Sequence, residues 1–201
     1  ATAGSPVIED CCHAIASTFD GVPLGAFGVA SFDSFEWGKP IVAGLGGSAV
    51  VNDPALRQRL AEDHANFVIP PLAKRMQLEL QYRAFGVLYQ PQWYWQVRAA
   101  FHGLSKIGAA AGNFRNDGET HKVSSEFEWR MAPSMVRRAQ QKAKSLANVV
   151  QHSRDVADRY RHSITAPSVI HPVVPAAGHA CLARYPLRAT DKAGLLACAR
   201  A

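Results

Sequence analysis

The sequence lacks long apolar runs, and that absence excludes one broad class of protein. No apolar run in the 201 residues approaches the roughly 18 residues of a membrane span, so we expect no transmembrane segment and no membrane partner. No charged segment followed by an apolar one opens the chain, so no secretory signal peptide is predicted. Only 19% of the residues are charged and 48% are apolar, which excludes a disordered chain and supports a sizeable core.

Cysteine is scarce, and its spacing is wrong for a structural metal. The four cysteines form no Cys-x-x-Cys pair and have no histidines at the spacing of zinc ligands, so we expect no metal site. Two of them are adjacent, which is an awkward geometry for a disulfide with each other. Reduced thiols in a cytoplasmic protein are therefore predicted. The four are Cys11, Cys12, Cys181 and Cys198.

Runs of basic residues are also absent, although the net charge is +6. Residues 1–60 carry a net charge of −3 and residues 61–201 a net charge of +9. The basic side chains are dispersed through apolar segments rather than gathered into an arm or tail, so nucleic acid is not an expected partner. A phosphorylated small molecule would also suit this excess of positive charge.

The first half of the chain has the pattern of strands followed by helices. Strands are predicted at 7–9, 30–35 and 48–51. A helix is predicted from Pro54, capped by Asp53. A second helix is indicated by a one-face stripe of Leu72, Met76 and Leu80.

The second half is predicted to begin irregularly and then become helical. Residues 86–120 mix aromatic residues with glycine, and 103–118 reads as a mobile loop. The aromatics suit a core, a subunit interface or a ligand platform. One long helix is expected over 133–164, then a strand at 180–189 and a helix from 192.

Three short patterns in the first fifty residues carry residue types suited to catalysis. Asp10 ends a predicted strand with His13 three residues later, and ligands of open α/β sheets sit at such strand ends. Ser34 and Lys39 follow the next strand, five residues apart, and a Gly46-Gly47 pair follows them. Taken singly, each has an ordinary structural explanation: a turn cap, a surface charge or a tight turn.

Taken together, these patterns resemble the DegT/DnrJ/EryC1/StrS family of sugar aminotransferases, which are fold type I enzymes dependent on pyridoxal phosphate (PLP). The resemblance is nearly continuous over about fifty residues and extends through an Arg-Met segment that opens the long helix. Its segments are Val7–Ala14, Gly21–Gly28, Ser34-Phe35, Lys39, Gly46–Asp53 and Trp129–Ser134.

The resemblance assigns a role to each of four side chains. Lys39 would be the catalytic lysine, forming a Schiff base with the cofactor and moving a proton as general base and then acid. Asp10 would keep the pyridinium nitrogen protonated. His13 would contact the ring or its phenolic oxygen, and Ser34 would hold the phosphate.

The same resemblance predicts the fold class and the domains. We expect an α/β fold in which 1–60 is the carboxyl-terminal part of the PLP-binding large domain. Connecting helices and an aromatic, glycine-rich loop would occupy 61–120, and a truncated α+β small domain 121–201. Family members carry an earlier segment with a Gly-Thr phosphate-binding turn and a stacking aromatic, so the chain reads as a fragment.

Two positions depart from the family pattern. Leu45 stands where the family often has glutamate before the glycine pair. Glu128 stands where it often has an asparagine that reaches the neighbouring subunit's phosphate, and a carboxylate there would repel a phosphate.

The reaction implied is transfer of an amino group from an amino acid, glutamate in the first instance, to a keto group of a nucleotide-linked sugar. Family members are cytoplasmic homodimers with active sites shared between subunits. One alternative is a PLP-dependent sugar dehydratase, although relatives of that type replace the lysine by histidine. Another is a non-catalytic fragment or partner subunit that keeps the fold.

Overall fold

The computed structural model describes residues 4–111 and 125–198, and its first sheet has three strands. These are β1 (Ile8–Asp10), β4 (Ala30–Ser34) and β5 (Gly47–Val51), in the order β1-β4-β5. β1 runs parallel to β4, and β5 runs antiparallel to it. The three strands expected from the sequence are therefore confirmed, with small shifts of their ends.

The register of this sheet places the polar strand ends side by side. Asp10 lies opposite Phe32, so the carboxyl ends of β1 and β4 share one edge. Gly47 pairs with Ser34 at the same end of β4. A Cβ atom at Gly47 would overlap the carbonyl group of Asp33, so the close approach of β5 to β4 requires glycine here.

Two smaller sheets join distant parts of the chain. β2 (Thr18–Phe19) pairs with β3 (Val22–Pro23) and with β7 (Gly178–His179), and β6 (Val169–Ile170) pairs with β8 (Arg188–Ala189).

The strand expected over 180–189 is wrong except for its last two residues, which belong to β8. Pro186 lies within the unpaired part, and its nitrogen has no hydrogen to donate to a neighbouring strand.

The helix predicted after the third strand is confirmed. In α1 (Pro54–Asn66) the Asp53 carboxylate accepts a hydrogen bond from the Leu56 N–H at 2.7 Å. That bond satisfies one of the free N–H groups at the helix start, and proline at the first position loses no bond there.

The expectation of irregular structure over 86–120 is wrong for much of that segment. α2 (Leu72–Leu88) continues to residue 88, a 3₁₀ turn covers Pro91–Trp93, and α3 (Tyr94–Lys106) follows. Tyr94, Trp95 and Phe101 therefore lie on α3, whereas Tyr89 follows the end of α2. The expected mobile loop begins inside α3, and its residues 112–118 lie outside the described residues.

The single long helix expected over 133–164 is two helices, α4 (Pro133–Ala143) and α5 (Leu146–Ser163). Between them the backbone N–H and the hydroxyl of Ser145 both bond the Lys142 carbonyl, each at 3.0 Å. This local bonding competes with the regular helical pattern, which explains the break. A short helix, α6 (Lys192–Cys198), ends the described chain.

The apolar stripe of α2 does not face the core as its spacing suggested. Leu72, Met76 and Leu80 are 62%, 63% and 71% exposed, whereas Leu78 on the opposite face is buried. Both faces of α2 carry apolar residues, so spacing alone could not show which face packs.

Two clusters of buried apolar residues pack around the segment that follows Lys39. One cluster joins Ile41 and Ala43 to Ala139 of α4. A second joins Leu78 of α2 to Met135 of α4. Helices α2 and α4 therefore support the segment that follows the lysine.

Two further expectations can be compared with the structure. All four cysteines are free, as predicted. Among the described residues, no helix combines the length and the apolar character needed to cross a membrane.

Candidate functional site

Lys39 and His13 are in direct contact. Lys39 follows β4 in a turn whose Gly38 adopts a φ of 75°, and its Nζ lies 2.9 Å from the His13 Nε2. His13 follows β1, so the contact joins two loops that leave the same edge of the sheet. The structure thus brings together two residues that are 26 positions apart in the chain.

The electrostatics of His13 favour a neutral ring. Partial burial lowers the pKa of His13, and the positive charges of Lys39 and Arg184 lower it further, against a smaller opposite effect of Asp10. A neutral imidazole can accept a hydrogen bond through Nε2, so the Lys39 ammonium donates to it.

Asp10 is held as a carboxylate beside these two residues. Its Oδ1 accepts a hydrogen bond from the Cys12 N–H at 3.0 Å. This bond is the main reason why the pKa of Asp10 is lowered, a hydrogen bond with the Cys12 side chain is the next, and the positive charge of Lys39 adds to them. The neighbouring Cys12 stays a neutral thiol, because burial and Asp10 raise its pKa to about 11.

The Ser34 side chain forms its hydrogen bond within its own loop, whereas Lys39 and His13 bond across two loops. It is the last residue of β4, and its Oγ accepts a hydrogen bond from the Glu36 N–H at 3.4 Å. This is a local contact within the loop that leads to Lys39. His13 and Lys39 are therefore in contact, Asp10 lies near enough for the Lys39 charge to lower its pKa, and Ser34 lies near Lys39 along the chain.

Glu9 has a structural role that the sequence reasoning missed. Its carboxylate accepts hydrogen bonds from the N–H groups of Gly25, Phe27 and Gly28, each at 2.8 Å. The bond from Gly25 is the largest cause of the lowered pKa of Glu9. Gly25 has a φ of 98° and is buried, so glycine is required at this turn.

Asn52 completes the same network from the other side. Its Nδ2 donates to the carbonyl groups of Gly25 and Gly28, at 3.0 Å and 2.9 Å. Glu9 thus binds the N–H groups of the turn and Asn52 its carbonyl groups, which fixes β1 relative to β5. An acid at a strand end followed by a glycine-rich turn is the signal that could have identified this network.

Asp33 is a second residue that the sequence reasoning did not single out. Its Oδ1 is buried and has no hydrogen-bond partner among the described residues. Burial raises the pKa of Asp33, and the negative charge of Asp10 raises it further. A hydrogen bond with the Ser48 side chain lowers this pKa in part, so the carboxylate has one partner while its buried Oδ1 costs folding free energy.

An open pocket of about 370 Å³ extends from Lys39 toward α5. Its wall includes the α5 residue Tyr160 and the segment from Cys181 to Tyr185. Lys39 and Arg184 supply positive charge to the wall, and none of the described residues that line it is a carboxylate. The pocket therefore presents a cationic, partly aromatic surface beside the candidate catalytic lysine.

One of the two departures from the family pattern, Leu45, has a structural explanation, and nothing in the described residues explains the Glu128 side chain. Leu45 is partly buried and packs on the cluster around Leu78, so its side chain serves the core. The Glu128 carbonyl accepts from the Val68 N–H at 3.1 Å, and the Arg130 guanidinium donates to the last carbonyl groups of α1. This stretch thereby joins α1 to the start of α4.

The group formed by Asp10, His13 and Lys39 suits PLP by its chemistry. It contains a primary amine for covalent attachment, a neutral imidazole in contact with that amine, and a nearby carboxylate kept ionised, as a pyridinium nitrogen requires. The residues present therefore fit the cofactor that the sequence resemblance implies.

Comparison with curated proteins shows short stretches of high identity. The chain is 44% identical over 50 residues to the L-glutamine:scyllo-inosose aminotransferase of Streptomyces griseus, covering 25% of this chain and 12% of that protein. It is 45% identical over 53 residues to the GDP-perosamine synthase of Escherichia coli O157:H7, covering 26% of this chain and 15% of that protein.

Solved structures match nearly the whole chain. The aminotransferase TlmJ from Streptoalloteichus hindustanus superposes with a TM-score of 0.61 at 21% identity, covering 98% of this chain and 42% of that one. AtS13 from Actinomadura melliaura gives the same TM-score and coverage at 18% identity. The chain thus spans about two fifths of the length of these proteins.

A family model settles the assignment that these partial matches suggest. The model of the DegT/DnrJ/EryC1/StrS aminotransferase family matches residues 1–193, which is almost the entire sequence and includes all four candidate site residues. The chain belongs to the DegT/DnrJ/EryC1/StrS aminotransferase family.

Proposed function

We propose that the protein containing this chain is a PLP-dependent aminotransferase that moves an amino group from glutamate to a keto group of a nucleotide-linked sugar. The observation that carries the proposal is the 2.9 Å contact between Lys39 Nζ and His13 Nε2 beside the ionised Asp10. Family membership supports the amino-transfer chemistry. The relative named as a GDP-perosamine synthase supports a nucleotide-linked substrate.

Each residue of the site would contribute one step. When bound, PLP supplies an electron sink for the carbon that loses its proton. Lys39 would hold the cofactor through its amine, and its Nζ would take the proton from the amine-bearing carbon of the donor. Asp10 would face the ring nitrogen, and Ser34 would bind the phosphate through its hydroxyl. His13, as a neutral acceptor, would orient the Lys39 amine.

The same proposal extends to the partners. We infer a cytoplasmic homodimer in which each subunit completes the site of the other. The described lining of the pocket carries the positive charges of Lys39 and Arg184 without a carboxylate, which favours substrates that carry negative charge.

The proposal is tested by replacing Lys39 in the complete protein. Wild type, Lys39→Arg and the exposed-site control Lys106→Arg are each incubated with PLP and reduced with borohydride, and the labelled peptide is mapped. We expect the label on Lys39 in wild type and the control, and none in Lys39→Arg. Amino transfer from L-glutamate and from L-glutamine is then measured. Labelling of a different lysine, or full activity of Lys39→Arg, would overturn the proposal.

A further inference from the structure

The wall of the Lys39 pocket contains a tyrosine whose hydroxyl is fixed by a histidine outside the pocket lining. Tyr185 lines the pocket, and its hydroxyl oxygen lies 2.9 Å from the His171 Nδ1. The other ring nitrogen of His171, Nε2, lies 2.8 Å from the Ile164 carbonyl oxygen. His171 therefore bridges the end of α5 to the tyrosine.

The bonding of His171 determines which way the tyrosine hydroxyl points. A carbonyl oxygen can only accept, so the hydrogen of the neutral imidazole must lie on Nε2. Nδ1 then carries no hydrogen and accepts from the Tyr185 O–H. With its hydrogen committed to His171, the Tyr185 oxygen can offer the pocket only a lone pair. Tyr185 is thus a fixed hydrogen-bond acceptor.

A second aromatic ring extends this acceptor into a platform. The ring centroids of Tyr160 and Tyr185 lie 5.2 Å apart, and the two ring planes are inclined by 30°. Tyr160 is 45% exposed and also lines the pocket. Aromatic faces beside a polar oxygen match a ligand with an apolar C–H face and hydroxyl groups at its edge, as in a sugar or cyclitol ring.

We propose that Tyr160 and Tyr185 form the subsite for the hydroxylated ring of the amino-group acceptor, with Tyr185 accepting a hydrogen bond from a ring hydroxyl. His171 is a positioning residue that acts through Tyr185. This inference rests on the proposed function for the identity of the ligand. Its geometry comes from the pocket, the tyrosine pair and the histidine bridge.

Binding to the complete protein is measured by isothermal titration calorimetry with three probes: scyllo-inosose, UDP-glucose and L-glutamine. Tyr185→Phe removes only the acceptor oxygen, and loss of one hydrogen bond corresponds to about 2- to 12-fold in affinity. We expect that loss for the two ring-containing probes and no change for L-glutamine. Tyr160→Leu, which removes the second ring, should weaken only the ring-containing probes.

The role of His171 is tested with a matched pair of variants. The amide of His171→Gln can donate to the Ile164 carbonyl and accept from Tyr185, so it should retain ring binding. His171→Leu can do neither and frees the Tyr185 hydroxyl to rotate, so it should lose part of the affinity that Tyr185→Phe loses. In a Tyr185→Phe background the two His171 variants should bind the ring-containing probes equally.

The outcomes separate this inference from the proposed function. Equal weakening of L-glutamine and ring-containing probes, or no weakening by Tyr185→Phe, would overturn the subsite. Ring-specific weakening in a protein that transfers no amino group would support the subsite and refute the aminotransferase proposal.

Discussion

Replacement of Glu9 by glutamine tests the network that supports the site. The Glu9 carboxylate accepts three backbone hydrogen bonds at 2.8 Å, one through Oε1 and two through Oε2. A glutamine keeps one oxygen, so at best two of these bonds survive, and its amide hydrogens then oppose the buried Gly25 N–H. Leaving that donor unsatisfied costs about 1–3 kcal/mol. Because the site is partly exposed to solvent, we expect the lower half of this range.

The pH dependence of this effect has a definite sign. The hydrogen bonds lower the pKa of folded Glu9 from its ordinary value of 4.5. The stabilisation by Glu9 is therefore fully present above that value and is lost as the pH falls through the lower, folded pKa. The difference in unfolding free energy between wild type and Glu9→Gln should be largest near pH 7 and should shrink below about pH 4.5.

The measurement is urea unfolding of the complete protein at several pH values. The control is Glu62→Gln on the exposed surface of α1, where the side chain accepts a hydrogen bond from Gln58. This control should change the unfolding free energy by less than about 0.5 kcal/mol. If Glu9→Gln behaves like the control, or if its effect grows as the pH falls, the assigned role of Glu9 is wrong.

Three further substitutions test the electrostatics of the site. Asp10→Asn should lower amino transfer by about a hundredfold or more, because an amide cannot keep the ring nitrogen protonated; Asp20→Asn, in an exposed turn, should leave the rate unchanged. Arg184→Gln should raise the pKa of His13, since the Arg184 charge lowers it, as followed by NMR titration of the imidazole. Asp33→Asn should stabilise the protein more at pH 8 than at pH 4, measured by urea unfolding, because the raised pKa of Asp33 makes its ionised form costly.

Each of these expectations has a clear contrary result. Asp10→Asn with the wild-type rate would remove Asp10 from the chemistry. For Arg184, the matched control is Arg188→Gln in β8, and an equal shift of the His13 pKa in both variants would contradict a local effect. Asp33→Asn that is less stable than wild type at pH 8 would show that the hydrogen bond between Asp33 and Ser48 outweighs the cost of burying the carboxylate.

The sheet and the contact between Lys39 and His13 could be predicted from the sequence, because local rules and a long motif point to the same structure in the first fifty residues. Asp53 and Pro54 mark the start of α1 through capping chemistry, which acts over a few residues. Lys39 and His13 were assigned to one site by resemblance to a family, and the structure brings them into contact. Their roles in binding PLP, and the division into domains, remain predictions.

The parts of the structure that could not be predicted depend on tertiary packing and on contacts between distant residues. α2 carries apolar residues on both faces, and only packing against α4 decides that Leu78 is buried while Leu80 is exposed. The break near Ser145 depends on a side-chain hydrogen bond that competes with the helix. No local sequence pattern marks Tyr185 and His171 as partners. They are 14 positions apart, and their contact forms only when the chain folds.

Arg138 in α4 makes the position of the lysine loop depend on two helices at once. Its guanidinium donates to the Ala43 carbonyl at 2.7 Å and to the Glu79 carboxylate of α2 at 2.6 Å, and it lies 3.6 Å from the centre of the Tyr82 ring. Ala43 follows Lys39 by four residues. A shift of α2 against α4 must therefore break one of these contacts or displace the loop, so events at the exposed surface of α2 are mechanically coupled to the lysine.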